Sequence, residues 1–149
     1  MVRSLEIEHS DRGVVMTGRR VLLVEDNPAN LALMEYLLRV GGFSVLTAGD
    51  GEAGVALALR ERPDAILMDL LMPSLNGFEA FTRIRKLPEL RHVVVIAVTA
   101  LASASERDGI LAHGFDGCIA KPITPATFVP QIERLIQVHG PSGSSAAAS

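Results

Sequence analysis

The chain has 149 residues, of which 48% are hydrophobic, 21% are charged and 4% are aromatic, and its formal net charge is −3. This length predicts a single globular domain, and the small negative charge and the absence of Trp argue against binding to nucleic acid or to an anionic membrane surface. The one cysteine, Cys118, allows no internal disulfide and no apolar run is long enough for a membrane span, so we expect a cytoplasmic protein.

The two ends of the chain differ in composition from its centre. Residues 1–18 are mixed and polar, and we expect them to form a flexible leader. Residues 140–149 contain only Gly, Pro, Ser and Ala, which offer too little apolar surface to order them, so we expect a disordered tail. The sequence therefore predicts one folded domain over residues 19–139.

The domain begins with a predicted strand at residues 19–25, whose apolar residues form an unbroken run typical of a strand buried on both faces. Asn27 and Pro28 then provide the cap and the first residue of a helix that ends at Gly41. A second strand is predicted at residues 43–48. The apolar residues at helical spacing in the first helix are Leu31, Met34, Leu37 and Leu38.

Two further helices flank a third strand. Asp50 is the predicted cap of a helix over residues 51–62, and residues 65–69 form a fully apolar run that ends in a carboxylate. Asn76 and Gly77 open the next helix. The apolar residues of the first of these helices are Ala53, Val55, Ala56 and Leu59. In the second, we expect Phe78, Phe81 and Ile84 to face inward and Arg83, Arg85 and Lys86 to face outward.

The last third of the domain repeats the same alternation. Residues 93–98 form a β-branched strand that ends at Thr99, and a capping box at residues 103–106 starts a helix that ends near His113. Residues 118–120 form a short fifth strand. Thr124 and Pro125 are predicted to cap a last helix whose apolar residues are Phe128, Ile132, Leu135 and Ile136. Five alternations of strand and helix predict an α/β fold with a parallel sheet and helices on both faces.

Polar residues interrupt the apolar strands where the strands end. They are Glu25, Asp26, Asp69, Thr99 and Lys121. Because the carboxyl ends of parallel strands share one edge of a sheet, we expect these side chains to form a single site. Grouped carboxylates repel one another, and a site of oxygen ligands suits Mg²⁺. With the ion bound, one carboxylate can act as a nucleophile toward a phosphoryl donor.

The segments around these residues resemble the receiver domain of two-component response regulators. In the family's order and spacing, the matching segments are 21–27 (VLLVEDN), 68–73 (MDLLMP) with Gly77 after it, 98–100 (VTA) and 119–123 (IAKPI). The resemblance covers residues 19–138. It is nearest to stand-alone receivers of the chemotaxis-regulator type or to the receivers of hybrid kinases.

The resemblance implies a flavodoxin-like, five-stranded parallel sheet of order 2-1-3-4-5 with five helices. It implies that Asp69 accepts the phosphoryl group and that Thr99 and Lys121 bind it. The implied metal ligands are Asp26, Glu25 through water, Asp69 and the backbone carbonyl of Leu71. The family pattern also implies a cis peptide bond before Pro122.

The chain departs from the family pattern at Cys118. Three residues before the lysine, most receivers carry Tyr or Phe, whose rotamer couples to the threonine hydroxyl. A switch that depends on this aromatic side chain is therefore not expected here. Cys118 is more simply a small buried apolar residue than a redox sensor.

Taken singly, the site residues also have ordinary structural explanations. Glu25 and Asp26 could be solvated acids at a helix start. Asp69 could be a turn residue and Lys121 a solvated lysine. Thr99 could be a β-branched strand residue. Their joint placement at the strand ends favours the site.

We therefore expect a phosphorylation-dependent switch of a two-component phosphorelay, with a histidine kinase or phosphotransfer protein as donor and no turnover of an external substrate. Its downstream protein target would bind the face formed by the fourth helix, fifth strand and fifth helix. Two alternatives stay open. One is a phosphorylation-independent adaptor that has the receiver fold. The other is a Mg²⁺-dependent phosphatase, although such enzymes usually carry a second acid two residues after the nucleophile, where this chain has Leu71.

Overall fold

The structure is a computed structural model that describes residues 18–100 and 103–140. The expected leader and tail lie, apart from Gly18 and Gly140, outside the described residues. Within the described ranges, no helix combines the length and the apolar composition needed to cross a bilayer.

Five parallel strands form one sheet. They are β1 (Arg20–Val24), β2 (Ser44–Ala48), β3 (Ala65–Asp69), β4 (Val94–Thr99) and β5 (Gly117–Ala120). Their order is β2-β1-β3-β4-β5, as expected. Every residue of the central strands β3 and β4 is buried, which explains their unbroken apolar sequences.

The helices cover both faces of this sheet. They are α1 (Pro28–Val40), α2 (Gly51–Glu61), α3 (Gly77–Arg85), α4 (Ala104–His113) and α5 (Pro125–His139), with a short 3₁₀ helix at Pro88–Leu90. Helices α1 and α5 pack on one face, and α2, α3 and α4 pack on the other. The flavodoxin-like α/β fold predicted from the sequence is confirmed.

A hydrophobic core lies on each face of the sheet, and alternate residues of each strand pack into one core or the other. Val21 and Leu23 of β1 join one cluster, whereas Leu22 and Val24 join the other. Each fully buried aliphatic side chain contributes about 1.5–3 kcal/mol by leaving water. The predicted inward residues of α1 and α5 are confirmed as buried or partly buried, and they are Leu31, Met34, Leu37, Leu38, Phe128, Ile132, Leu135 and Ile136.

Of the four apolar residues that the sequence indicates for α2, Val55 is partly buried and packs against the core, whereas Ala53, Ala56 and Leu59 are exposed. The fully buried residues of this helix are Gly51, Gly54 and Ala58. These small residues let the backbone of α2 approach the sheet closely.

Arg85 of α3 is not the outward, solvated residue that was predicted. Its guanidinium donates hydrogen bonds to the carbonyl oxygens of Leu90 and Val93 and to Oδ2 of Asp116, at 3.3, 2.8 and 3.0 Å. The same guanidinium lies over the ring of Phe81. Arg85 therefore ties α3 to the amino ends of β4 and β5.

The start of α5 also differs from the prediction in one detail. Thr124 is its N-cap residue, but the Thr124 side chain makes no capping hydrogen bond. Pro125 follows at the first helical position, where its fixed φ angle already suits the helix.

Candidate functional site

The predicted site residues meet at the carboxyl edge of the sheet. Glu25 and Asp26 directly follow β1, and Lys121 directly follows β5, while Asp69 and Thr99 are the last residues of β3 and β4. Because β1, β3, β4 and β5 are consecutive neighbours in the sheet, all four strand ends contribute to one site. The sequence argument from strand ends therefore describes the actual arrangement.

Three carboxylates form the centre of this site. Glu25, Asp26 and Asp69 each offer an oxygen, and these oxygens all lie within 4.8 Å of one another. Glu25 is 1% exposed and Asp69 is 4% exposed, whereas Asp26 faces solvent. The backbone N–H of Asn27 donates to Oε2 of Glu25 at 3.1 Å and fixes that side chain. The sequence predicted Asn27 only as a helix cap, a role it also fills by accepting from the N–H of Asn30.

Lys121 reaches into the acid cluster from β5. Its Nζ lies 2.9 Å from Oε1 of Glu25 and 3.4 Å from Oδ2 of Asp69. Burial acts against the charged form of this lysine, but the close approach of its ammonium to Glu25 and the negative charges of Asp69 and Glu25 outweigh it and raise the pKa of Lys121 above its ordinary value. The ammonium is therefore charged and partly neutralises the two buried acids.

Opposing interactions act on the pKa of Asp69. Burial, together with the charge of Glu25, raises the pKa of Asp69 to about 6. The N–H of Leu71, which donates to Oδ1 of Asp69 at 3.2 Å, and the charge of Lys121 both favour the ionised form. The net result is a buried carboxylate whose negative charge is only partly compensated by its neighbours. Such perturbed groups are common at functional sites.

The loop between β3 and α3 holds Asp69 in place. The N–H of Gly77 donates to the carbonyl oxygen of Leu70 at 3.2 Å, and any side chain at Gly77 would collide with the backbone of Asp69 and Leu70. Within the loop, Ser74 has a left-handed backbone, with φ at 64°. Leu71, whose carbonyl is an implied metal ligand, projects an exposed side chain at the mouth of the site.

Thr99 and Lys121 lie on adjacent strands and are connected through the backbone. Thr99 is fully buried, and its carbonyl oxygen accepts a hydrogen bond from the N–H of Lys121 at 2.9 Å. The peptide bond between Lys121 and Pro122 is cis. The backbones of Thr99 and Lys121 are thus held side by side at the carboxyl edge of the sheet.

Cys118 occupies the position that is aromatic in most receivers. The thiol is buried, and burial raises the pKa of Cys118 above its ordinary value, so the thiol stays protonated and unreactive. Cys118 and Lys121 also line an open cavity of about 400 Å³, together with Arg107 of α4. This cavity is bordered by α4, by β5 and by the start of α5.

The site residues fit a divalent cation. Oε1 of Glu25 is buried and accepts no hydrogen bond of normal geometry from the described residues, although the ammonium of Lys121 is nearby. Three carboxylates converge, and the described ranges offer no mixed cluster of His and Cys with metal-ligand spacing. This all-oxygen donor set suits Mg²⁺ better than a softer metal.

The chain matches the family model of the response regulator receiver domain over residues 21–133. It is 36% identical over 115 residues to the polar-differentiation response regulator DivK of Brucella anthropi, which covers 77% of this chain and 94% of that protein.

Solved structures agree with this similarity. The receiver domain of a sensor histidine kinase from Pseudomonas aeruginosa, solved with a magnesium ion coordinated in its active-site cleft, is 40% identical, with a TM-score of 0.73 over 80% of this chain and 98% of that one. The chemotaxis response regulator CheY4 of Vibrio cholerae is 28% identical, with a TM-score of 0.75 over 80% of this chain and 99% of that one.

Proposed function

This chain belongs to the response regulator receiver domain family, and we propose that it is a phosphorylation-dependent switch that accepts a phosphoryl group on Asp69 from a histidine kinase or a phosphotransfer protein. One observation carries the proposal. The buried carboxylate of Asp69 lies within 4.8 Å of two further acids and 3.4 Å from the ammonium of Lys121, at the carboxyl edge of the sheet. This combination provides a nucleophile, a cation site and a cationic group for phosphoryl oxygens.

In the proposed reaction, an Oδ atom of Asp69 attacks the phosphorus of a phosphohistidine. A P–O bond forms, the P–N bond breaks, and its electron pair stays on the imidazole nitrogen of the donor, which leaves as histidine. Asp69 must be ionised to attack. Mg²⁺, bound by Asp26, Asp69, the carbonyl of Leu71 and, through water, Glu25, would neutralise charge on the transferred group.

The remaining polar residues respond to the new group. The ammonium of Lys121, which in this structure contacts Glu25 and Asp69, supplies a point charge for the phosphoryl oxygens. The hydroxyl of Thr99 supplies a hydrogen-bond donor. The chemistry is limited to phosphorylation and dephosphorylation of Asp69 itself, so the protein turns over no external substrate.

Helix α1 provides a docking surface for the phosphoryl donor. Leu33, Tyr36 and Val40 share one face of α1 and are 37%, 65% and 52% exposed, so α1 is apolar on both its inner and its outer side. The helix begins at Pro28, two residues after Asp26. A donor helix packed along this face would bring its histidine to the site.

The downstream target is proposed to bind the face formed by α4, β5 and α5. Of the ten residues of α4, only Ile110 is buried, so this helix is weakly attached to the core and would be the element that responds to a change at Thr99 and Lys121. The phosphoryl group favours one of two arrangements of α4 rather than creating a new one. The proposal places the protein in the cytoplasm, where ATP supplies the kinases.

Intact-protein mass spectrometry after incubation with Mg²⁺ and acetyl phosphate tests the proposal, with wild type and Asp69→Asn compared. We expect one added phosphoryl group on wild type only, and its loss in hydroxylamine, as for an acyl phosphate. A wild-type protein that binds Mg²⁺ but gains no mass from acetyl phosphate or from a phosphorylated histidine kinase would favour the phosphorylation-independent adaptor.

A further inference from the structure

Helix α2 carries none of the predicted site residues, yet its buried face is unusual. That face consists of Gly51, Gly54 and Ala58. A glycine inside a helix costs about 1 kcal/mol relative to alanine, because it loses more backbone freedom on folding. Gly54 lies inside the helix, one turn from its start, so its presence calls for a packing reason.

Close contacts supply that reason. A Cβ atom added at Gly54 would lie 2.8 Å from Cγ2 and 3.0 Å from Cγ1 of Val24. A Cβ atom added at Gly51 would overlap the carbonyl oxygen of Leu75 and lie 3.1 Å from its Cβ. Both glycines therefore let the backbone of α2 approach other segments more closely than any other residue allows.

The two contacted segments are the two halves of the acid site. Val24 is the last residue of β1 and directly precedes Glu25. Leu75 is buried at the end of the β3–α3 loop, which starts at Asp69 and contains Leu71. Helix α2 thus packs against both the segment that presents the acid pair and the loop that presents the acceptor.

We propose that Gly51 and Gly54 are positioning residues of the site. They set the distance between the acid pair after β1 and the β3–α3 loop, and so determine how well the carboxylates and the Leu71 carbonyl fit one cation. The metal and phosphoryl roles in this statement rest on the proposed function. The glycine contacts themselves do not.

The first experiment compares Gly54→Ala with Gly109→Ala. Gly109 lies inside α4, and a Cβ atom there would meet nothing within 4 Å, so it is a matched helix glycine without a contact. Titration calorimetry with Mg²⁺ alone should give a dissociation constant about tenfold weaker for Gly54→Ala, and labelling by acetyl phosphate should slow. Gly109→Ala should leave both values unchanged.

A double-mutant cycle with Val24→Ala identifies the contact. Truncation of Val24 removes the two γ-carbons that the new methyl group would meet. In the Val24→Ala background, the change Gly54→Ala should therefore have little further effect on Mg²⁺ affinity. This background also keeps the test available if Gly54→Ala alone folds poorly.

A measurement without metal separates positioning from cation binding. In EDTA, Gly51→Ala should speed hydrogen exchange of the Leu71 and Gly77 amides, whose partners are Oδ1 of Asp69 and the carbonyl oxygen of Leu70. Truncation of Val24 should not restore the slow exchange, because the obstacle at Gly51 is a backbone oxygen.

The outcomes distinguish this inference from the proposed function. If wild type binds Mg²⁺ and is labelled, and Gly54→Ala and Gly51→Ala behave like Gly109→Ala, the positioning role is wrong and the switch function stands. If wild type takes no phosphoryl group but Gly51→Ala still speeds exchange at Leu71 and Gly77, the proposed function fails and the positioning contact stands.

Discussion

Helices α3 and α4 start in the same way but attach to the protein differently. Both begin with a complete capping box, formed by Asn76 and Glu79 in α3 and by Ser103 and Glu106 in α4. Helix α3 then buries four of its nine residues, whereas α4 buries one of its ten. The local signals for helix formation are therefore equal, and the difference lies in the packing.

This difference divides the site into a fixed and a movable part. Helix α3 follows the loop from Asp69, and Gly77 packs against the backbone of Asp69, so Asp69 is held rigidly. Helix α4 follows β4, which ends at Thr99, and Arg107 of α4 lines an open cavity together with Cys118 and Lys121. The proposed switch would need both properties, since a rigidly held Asp69 can drive movement only in an element that is weakly attached.

Truncation of one buried isoleucine in each helix gives the largest expected contrast. Ile84→Ala in α3 should lower the free energy of unfolding by about 3–4 kcal/mol, since Ile84 is fully buried beneath the sheet. Ile110→Ala should lower it by clearly less, because α4 can detach while the sheet stays folded. Urea unfolding measures the first effect, and faster hydrogen exchange confined to α4 measures the second.

The wild-type protein provides the reference for this contrast. In it, the α4 amides should already exchange faster than those of α3. If both truncations lower the global free energy of unfolding equally and α4 exchanges only by global unfolding, then α4 is part of the rigid core and the division of the site is wrong.

Ionisation of Asp69 should have the next largest effect on stability. The residues around Asp69 are held rigidly, so they cannot rearrange to compensate its charge. A pKa of about 6, above the ordinary 3.8, means that the folded state holds the proton more tightly than the unfolded state. Metal-free stability should therefore fall as the pH rises from about 4 to about 6 and stay lower above that range. Two pKa units correspond to at most about 3 kcal/mol. Lys121 adds nothing in this window, because its raised pKa affects stability only at alkaline pH.

Asp69→Asn should consequently raise the metal-free melting temperature at pH 7.5 and remove this fall in stability. Thermal unfolding in EDTA between pH 4 and 8 measures both. Asp26→Asn is the matched control, since Asp26 belongs to the same cluster but faces solvent, and it should change the melting temperature less. A lower melting temperature for Asp69→Asn would mean that Lys121 compensates the charge fully.

Much of the fold and the site could be predicted, because the relevant signals are local. The strand that ends in Asp69 is an unbroken apolar run, and the capping box at residues 103–106 is visible within four residues. Contacts between distant segments could not be predicted in this way. Arg85 pairs with Asp116, 31 residues away. Likewise, Gly54 packs closely against Val24 because it has no side chain. A pattern of hydrophobic residues does not reveal a contact of this kind.

Removal of the capping boxes should have the smallest effect on stability. It also compares α3 and α4 most directly, since the two motifs are chemically alike. Asn76→Ala and Ser103→Ala each remove a side-chain acceptor, for the N–H of Glu79 or of Glu106, and each should cost about 1 kcal/mol of helix stability. In α3 this loss should lower the free energy of global unfolding, because the helix is coupled to the core through Phe81 and Ile84. In α4 it should speed local hydrogen exchange and leave urea unfolding nearly unchanged. Equal losses in urea would show that packing does not separate the two helices, and that the movable part of the switch must be sought in β5 rather than in α4.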